Sequence, residues 1–285
     1  MRHARPGHTG SCRFSIGAKR QTSSRADRQT QQTFRCQCRA RPLRPATARW
    51  CSRVKRVAAV TGANRGLGLA LSSAIARAGL HVVMMGRSTA ALEESERELR
   101  ARGLDISTHQ LDVTDTASVA RAMADVAYEY GRIDVLINNA AIAIDRGQDA
   151  ATADMERVIA TLNTNLVGAW RCCTAAIPEM RRGGYGRIVN VTTHMASLDT
   201  MTTGSVAYRV SKTGLNALTR ILADELRSEN ILVNAASPGK VATRMAYGRA
   251  DRQPDEAVET LVWLATLPDE GPTGGLFADR QPLAW

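Results

Sequence analysis

The sequence predicts an α/β protein with one parallel sheet, wound in both directions and covered by helices on both faces. Three observations carry that prediction. Short apolar runs alternate with helix-compatible runs from about residue 55 to the end of the 285-residue chain. The apolar runs are continuous, not alternating, as strands buried on both faces must be. The first run, Val57-Ala58-Ala59-Val60, leads straight into Thr61-Gly62-Ala63-Asn64-Arg65-Gly66-Leu67-Gly68 and then into a helical stretch. Glycines there let the backbone take positive φ and come close to a guest. The helix that follows offers free N–H groups and the positive end of its dipole. Such a strand–turn–helix seats a phosphate or pyrophosphate.

The elements follow in order. Strands are expected at 57–60, 81–85, 106–111, 133–137, 187–191, 231–235 and 275–278. Helices are expected at 66–78, 90–101, from 114 or 115 to 130, 152–180, 205–227 and 254–267. Gly79, Gly103 and Gly131 stand where helix C-termini want a residue free to turn left-handed. Ser88 is a cap for the second helix, and Thr114 or Asp115 for the third. With the glycine turn after the first strand, this is a Rossmann-type sheet in three α/β/α layers, taking its ligand at the carboxyl ends of the strands. No composition break divides 54–285, which reads as one domain with a short substrate flap near 239–253.

The net charge of +11 suggests nucleic acid until its distribution is read. Residues 1–56 hold 15 Lys and Arg and one acid, Asp27, whereas the remainder holds 23 basic and 26 acidic side chains. The body is therefore mildly acidic and no nucleic-acid partner is expected of it. The basic leader, 1–53, is expected to be disordered. Its composition fits an organellar transit peptide, a misassigned start with the true chain beginning near Val54, or a nucleic-acid-binding arm. It has no secretory apolar core, and no run approaches the about 20 residues of a membrane span. The protein is expected in the cytoplasm, or in an organelle if the leader is a transit peptide. Cys12, Cys36, Cys38 and Cys51 show no zinc spacing, Cys172 and Cys173 are adjacent in a helix, and reduced thiols and no metal site are expected.

An acid at the end of the second strand would take the ribose hydroxyls of NAD. Here that strand ends Met84-Met85-Gly86-Arg87, and Arg65 lies within the glycine turn. Two guanidiniums suit the 2′-phosphate of NADP(H). Asp112, followed by Val113, is an acceptor for the adenine amino group or a plain helix cap.

The second informative stretch is Tyr208-Arg209-Val210-Ser211-Lys212. Residues four apart share a helix face, and an ammonium beside a phenol lowers its pKa, so this pair is a workable proton donor to a carbonyl. The residues after 56 include two lysines, Lys212 and Lys240, against 21 arginines, so a lysine at 212 is not there by default.

Together the glycine turn, Asn138-Asn139-Ala140, the Tyr208/Lys212 pair and Pro238-Gly239 resemble the short-chain dehydrogenase/reductase family over about 55–285. The two arginines and the ending Gly-Pro-Thr-Gly-Gly-Leu-Phe-Ala-Asp-Arg resemble its carbonyl-reductase-like branch, which implies NADPH. The resemblance implies that Tyr208 gives the proton, and that Lys212 tunes the phenol and holds the nicotinamide ribose. Thr193 would orient the carbonyl, with Thr192 and Ser197 as alternates, and Asn165 would hold a relay water. Gly62, Asn64, Arg65, Gly66, Leu67, Gly68, Arg87, Asp112, Val113, Asn139, Ala140, Pro238, Gly239, Val241 and Thr243 complete the implied cofactor site. Thr193 stands where the family has serine and Ala141 where it has glycine; both departures bear on turnover. His194 and Met195 are expected to line the pocket, and Arg244, Arg249 and Arg252 to be solvated flap charges. The expected activity is reversible reduction of a small aldehyde or ketone to an alcohol, in a homodimer or homotetramer. The competing reading is an NADP(H)-binding sensor or scaffold of the same fold.

Overall fold

The computed structural model describes residues 55–246 and 250–285. The leader, its cysteines and the flap residue Arg249 lie outside the described residues. The elements run β1 (Val57–Thr61), α1 (Gly66–Arg77), β2 (His81–Gly86), α2 (Thr89–Ala101), β3 (Ile106–Gln110), α3 (Thr116–Tyr130), β4 (Val135–Asn138), α4 (Met155–Leu162), α5 (Gly168–Gly183), β5 (Gly186–Val191), α6 (Val206–Glu225), β6 (Ile231–Ala236), α7 (Pro254–Ala257), α8 (Glu259–Ala265), β7 (Leu276–Ala278) and β8 (Gln281–Pro282).

The strands form one sheet in the order β3-β2-β1-β4-β5-β6-β7-β8. All neighbours are parallel except β7 and β8. The chain winds outward from β1 to β3, then returns to place β4 on the other side of β1. That reversal opens a crevice at the carboxyl ends of β1 and β4. Successive strand residues feed opposite faces: Leu136 packs with α3, α5 and α6, whereas Ile137 packs with α1 and α8.

The local signals hold well in the first half. Gly131 ends α3 at φ 73°, and Asp115, not Thr114, caps α3 by accepting from the Ala117 N–H at 2.9 Å. Thr114 instead gives both its N–H and its hydroxyl to Asp112. Three expectations give way. The single helix over 152–180 becomes a 3-10 turn (Ala150–Thr152), α4, a π turn (Asn163–Val167) and α5. Asn165 and Gly168 are buried there, and a Cβ on Gly168 would lie 2.9 Å from the Val113 side chain. The helix over 254–267 breaks at Val258 into α7 and α8. The strand β8 was not expected; Asp279 and Arg280, both at positive φ, make the tight turn that returns it to β7.

Met155 and Ile159 on α4, Trp170 on α5, and Val210 and Ile221 on α6 are large apolar side chains left exposed. Among the described residues no helix is long and apolar enough to cross a membrane, and no cluster of three His, Cys, Asp or Glu forms. Cys172 and Cys173 are free and buried, and burial pushes both thiols up, Cys173 to about 12.

Candidate active site

The glycine turn is held by backbone contacts and by the side chains of Thr61 and Asn139. Ala63 N–H donates to the Met85 carbonyl at 3.1 Å, tying the turn to β2. Thr61 Oγ1 accepts from the N–H groups of Asn139 and Ala140 at 3.1 and 3.0 Å. Asn139 Nδ2 donates to the carbonyls of Thr61 and Gly62 at 2.9 and 3.0 Å. Gly62 sits at φ 65°, and a Cβ there would meet the Ala140 Cα at 2.9 Å. At Gly68 a Cβ would fall 2.3 Å from the Gly62 carbonyl oxygen, so glycine is required for α1 to pack on β1. A Cβ on Gly66 would meet Thr243 Cγ2 at 3.2 Å, which places Thr243 over the turn. Arg65, exposed in extended conformation, occupies the N-cap of α1 and makes no cap bond with its side chain. The first N–H groups of this 12-residue helix are therefore without a side-chain cap. Ser95 Oγ donates to the carbonyl of Asn64, and Leu67, in the first turn of α1, packs against the core.

At the ends of β2 and β3 a cavity of about 240 Å³ is lined by Arg87, Gln110, Asp112, Asp115, Ser118 and Arg121. Asp112 is held below the usual carboxylate range, first by the Thr114 hydroxyl and in smaller part by the charge of Arg87. Arg121 was not singled out in the sequence, since one arginine on a helix carries no signal there. Val113 is buried beneath Gly168, so its side chain belongs to the core.

The chemical centre lies where α6 crosses the end of β5. Tyr208 is in the first turn of α6, and Lys212 follows one turn later at 2% exposure. Lys212 Nζ donates to the Val191 carbonyl at 2.7 Å and lies 5.9 Å from the centroid of the Tyr208 ring. Burial pushes the Tyr208 phenol up to about 12 and pulls the Lys212 ammonium down to about 8. In this geometry burial outweighs any lowering of the phenol by Lys212, whose ammonium is engaged by the β5 carbonyl.

The hydroxyls expected near the carbonyl separate by their partners. Ser197 Oγ donates to the Trp285 carbonyl, so it fastens the chain end. Thr193 is buried, follows directly on Val191-Thr192, and accepts from the Met195 N–H at 3.2 Å, leaving its own hydroxyl proton free to donate. Thr192 is buried with no protein partner for its hydroxyl. His194 is exposed and its N–H donates to Ser237 Oγ. Met195 is half-buried and accepts through its carbonyl from Arg209.

Asn165 sits in the π turn at 1% exposure. Its Oδ1 accepts from the Ile142 N–H at 2.8 Å, and its Nδ2 donates to the Ile142 carbonyl at 2.8 Å and to Ser211 Oγ at 3.0 Å. Ser211 in turn donates to the Tyr208 carbonyl at 2.7 Å. Near the other wall, Pro238 is buried, Gly239 turns at φ 78°, and Val241 is buried and bridges to Arg252. Arg252 is a surface charge, as expected of the flap, and also forms a two-pronged ion pair with Asp279, which raises its pKa and links the flap to the β7–β8 turn. Arg244 is exposed, as expected of a flap charge. Sequence reading missed Asp145, a buried carboxylate whose Oδ2 accepts from the N–H groups of Ala207 and Tyr208. No local pattern marks a cap that lies 62 residues before its helix.

This arrangement is that of a nicotinamide-dependent oxidoreductase, and comparison with known proteins agrees. Residues 56–254 match the family described as short chain dehydrogenase. The chain is 34% identical over 281 residues to carbonyl reductase (NADPH) 3 of Rattus norvegicus, covering 82% of this chain and 100% of that one. It is 34% identical over 278 residues to carbonyl reductase (NADPH) 1 of Sus scrofa, covering 81% and 94%. A crystal structure of an actinorhodin polyketide ketoreductase variant with NADPH superposes with a TM-score of 0.72 at 28% identity, covering 78% of this chain and 94% of that one. The chain belongs to the short-chain dehydrogenase/reductase family, oxidoreductases that use NAD(P)(H). Within that family it is carbonyl-reductase-like.

Proposed function

We propose that this protein is an NADPH-dependent reductase of aldehydes or ketones. The observation that carries the reading is Tyr208 and Lys212, one turn apart on α6, set against the end of β5 beside the glycine turn. The turn fits a dinucleotide, because its glycines let α1 pack closely on β1 and bring the start of a 12-residue helix, whose first N–H groups have no partner within it, to the carboxyl end of that strand. Gly62, Asn64, Gly66, Leu67 and Gly68 would take the pyrophosphate, and Asn139 and Ala140 the adjacent ribose. Arg65 and Arg87 would pair with the 2′-phosphate, in a site whose second strand ends without an acid. Asp112 and Val113 would border the adenine, and Pro238, Gly239, Val241 and Thr243 the nicotinamide. Bound NADPH supplies the hydride.

The chain's own residues do the rest. Thr193 donates a hydrogen bond to the substrate carbonyl oxygen and so polarises it. Tyr208 transfers its phenolic proton to that oxygen as negative charge develops. Lys212, still protonated below about pH 8, offsets the phenolate in a wall that excludes water. Asn165 holds Ile142 and Ser211, and through Ser211 the main chain of Tyr208, as a positioning residue. The exposed apolar side chains of α4, α5 and α6 support a homodimer or homotetramer.

The test is the rate of NADPH consumption by the purified protein with a panel of small aldehydes and ketones, repeated with NADH. Turnover that favours NADPH and vanishes in Tyr208→Phe supports the reading. Tight NADPH binding with no turnover of any carbonyl would favour the sensor reading instead.

A further inference from the structure

We propose that Asp145 is a positioning residue for Tyr208, fixing the main chain of that tyrosine relative to the glycine turn; the inference rests on the reductase reading above. The 20-residue helix α6 starts at Val206, and its first N–H groups have no partners within the helix. A local cap is missing. Ser205 lies in the left-handed region at φ 49° and ψ 50°, and its side chain makes no cap bond. Instead Asp145 Oδ2 accepts from the Ala207 N–H at 2.6 Å and the Tyr208 N–H at 3.2 Å. Asp145 is 1% exposed.

A buried carboxylate is a costly cap. It surrenders its hydration, whereas a serine in the ordinary N-cap position would serve the same N–H groups at the surface. What the carboxylate adds is a fixed connection. Residues 139–145 follow β4 and are fastened in three places. Asn139 is bonded to Thr61 and Gly62 of the cofactor turn. Ile142 is bonded through both its N–H and its carbonyl to Asn165. Asp145 is bonded to the first turn of α6. The strap therefore runs from the floor of the dinucleotide seat to the backbone N–H of the proton donor itself. A serine cap would hold the helix end to itself; Asp145 holds it to the seat. A misplacement of about 1 Å between reacting groups is enough to cost on the order of a hundredfold in rate, so such a strap bears directly on turnover.

The experiment compares wild type with D145A and D145N, with kcat expressed per NADPH-binding site. D145A is expected to lower kcat about 10- to 100-fold while the Kd for NADPH and the KM for the carbonyl stay within about threefold. D145N keeps an oxygen that can accept both N–H groups, and is expected to recover kcat to within about fivefold of wild type. A role limited to helix stability would reduce the amount of NADPH-binding protein and leave kcat per site unchanged. Amide hydrogen exchange gives a readout independent of activity: in wild type the Ala207 and Tyr208 amides should be protected, and D145A should speed their exchange at least about tenfold. A D145A kcat per site within twofold of wild type, a D145N as slow as D145A, or unprotected Ala207 and Tyr208 amides in wild type would each overturn the proposal. Should D145A not fold, D145N kinetics and wild-type exchange decide. If wild type turns over no carbonyl, the reductase reading fails, and the exchange measurement still judges the strap.

Discussion

The two halves of the crevice are held together by different means. On the side of the glycine turn, from β1 to α3, missing Cβ atoms let backbone pack closely and few polar side chains are used: the Ala63 N–H ties the turn to β2, while Thr61 Oγ1 and Asn139 Nδ2 tie it to the chain after β4. On the side of Tyr208, from β4 to β6, buried polar side chains reach across the chain. Asn138 bonds Asn190, which bonds Thr219; Asn165 bonds Ile142 and Ser211; Lys212 bonds Val191; Asp145 bonds Ala207 and Tyr208. A turn held mainly by close backbone packing tolerates many surface changes, apart from changes at Thr61 and Asn139, whose side chains bind it. A buried polar network does not, since deleting one partner leaves another unsatisfied in a low-dielectric interior. The difference teaches where function should be fragile: one side to added volume, the other to lost polar groups.

Four measurements would break or sharpen that contrast, beginning with the largest effect. Tyr208→Phe removes the proton donor without changing volume, and kcat should fall about a thousandfold, equivalent to about 4 kcal/mol, with NADPH affinity unchanged by equilibrium titration. Gly68→Ala deletes nothing and adds one methyl, yet that methyl would lie 2.3 Å from the Gly62 oxygen and 2.6 Å from Asn139 Nδ2. Denaturant unfolding should show a loss of about 2–3 kcal/mol, with NADPH binding weakened alongside. Arg65→Ala and Arg87→Ala should each reduce the preference for NADPH over NADH about tenfold, read as the ratio of kcat/KM values, and leave thermal stability nearly unchanged.

The smallest effect is that of pH. Burial lowers Lys212 to about 8, and its protonated form is the useful one, so kcat should be halved near pH 8 and decline about tenfold per unit above it. Stability moves the other way. The unfolded lysine keeps its proton up to the ordinary value of 10.5, so between about 8 and 10.5 the unfolded state binds more protons. This group therefore adds stability as pH rises through that window and adds none below it. Lys212→Met should accordingly be at least as stable as wild type at neutral pH and lose that advantage as the pH approaches 10.5, measured by denaturant midpoints.

Legibility in the sequence follows the same division. The strands of the parallel sheet, the glycine turn, the capping glycine at 131 and the Tyr208/Lys212 pair were readable because each is a short-range pattern with a local physical cause. The break in the 152–180 run was not. Helix propensity there is satisfied on either side, and the π turn goes with the burial of Asn165 against Ile142 and Ser211 and of Gly168 against Val113. That Arg252 is a surface charge was readable; its partner Asp279 was not, because nothing in the flap announces a turn 27 residues later. The phenol is a further case. Spacing alone brings an ammonium near it, whereas the folded wall directs that ammonium to Val191 and leaves burial to set both pKa values.

By itself the sequence determined the α/β alternation, the glycine turn between β1 and α1 and the spacing that puts Tyr208 and Lys212 one helical turn apart, since these rest on propensity, glycine geometry and helical spacing over a few residues. The tertiary structure alone decided that Ser197 spends its hydroxyl on the chain end while those of Thr192 and Thr193 stay free to donate, where the lysine puts its charge, and that a carboxylate from the loop after β4 caps the helix of Tyr208. Those outcomes depend on groups far apart in the chain meeting in a space closed to water, where each buried donor and acceptor must find a partner, and no local pattern encodes which partner that will be.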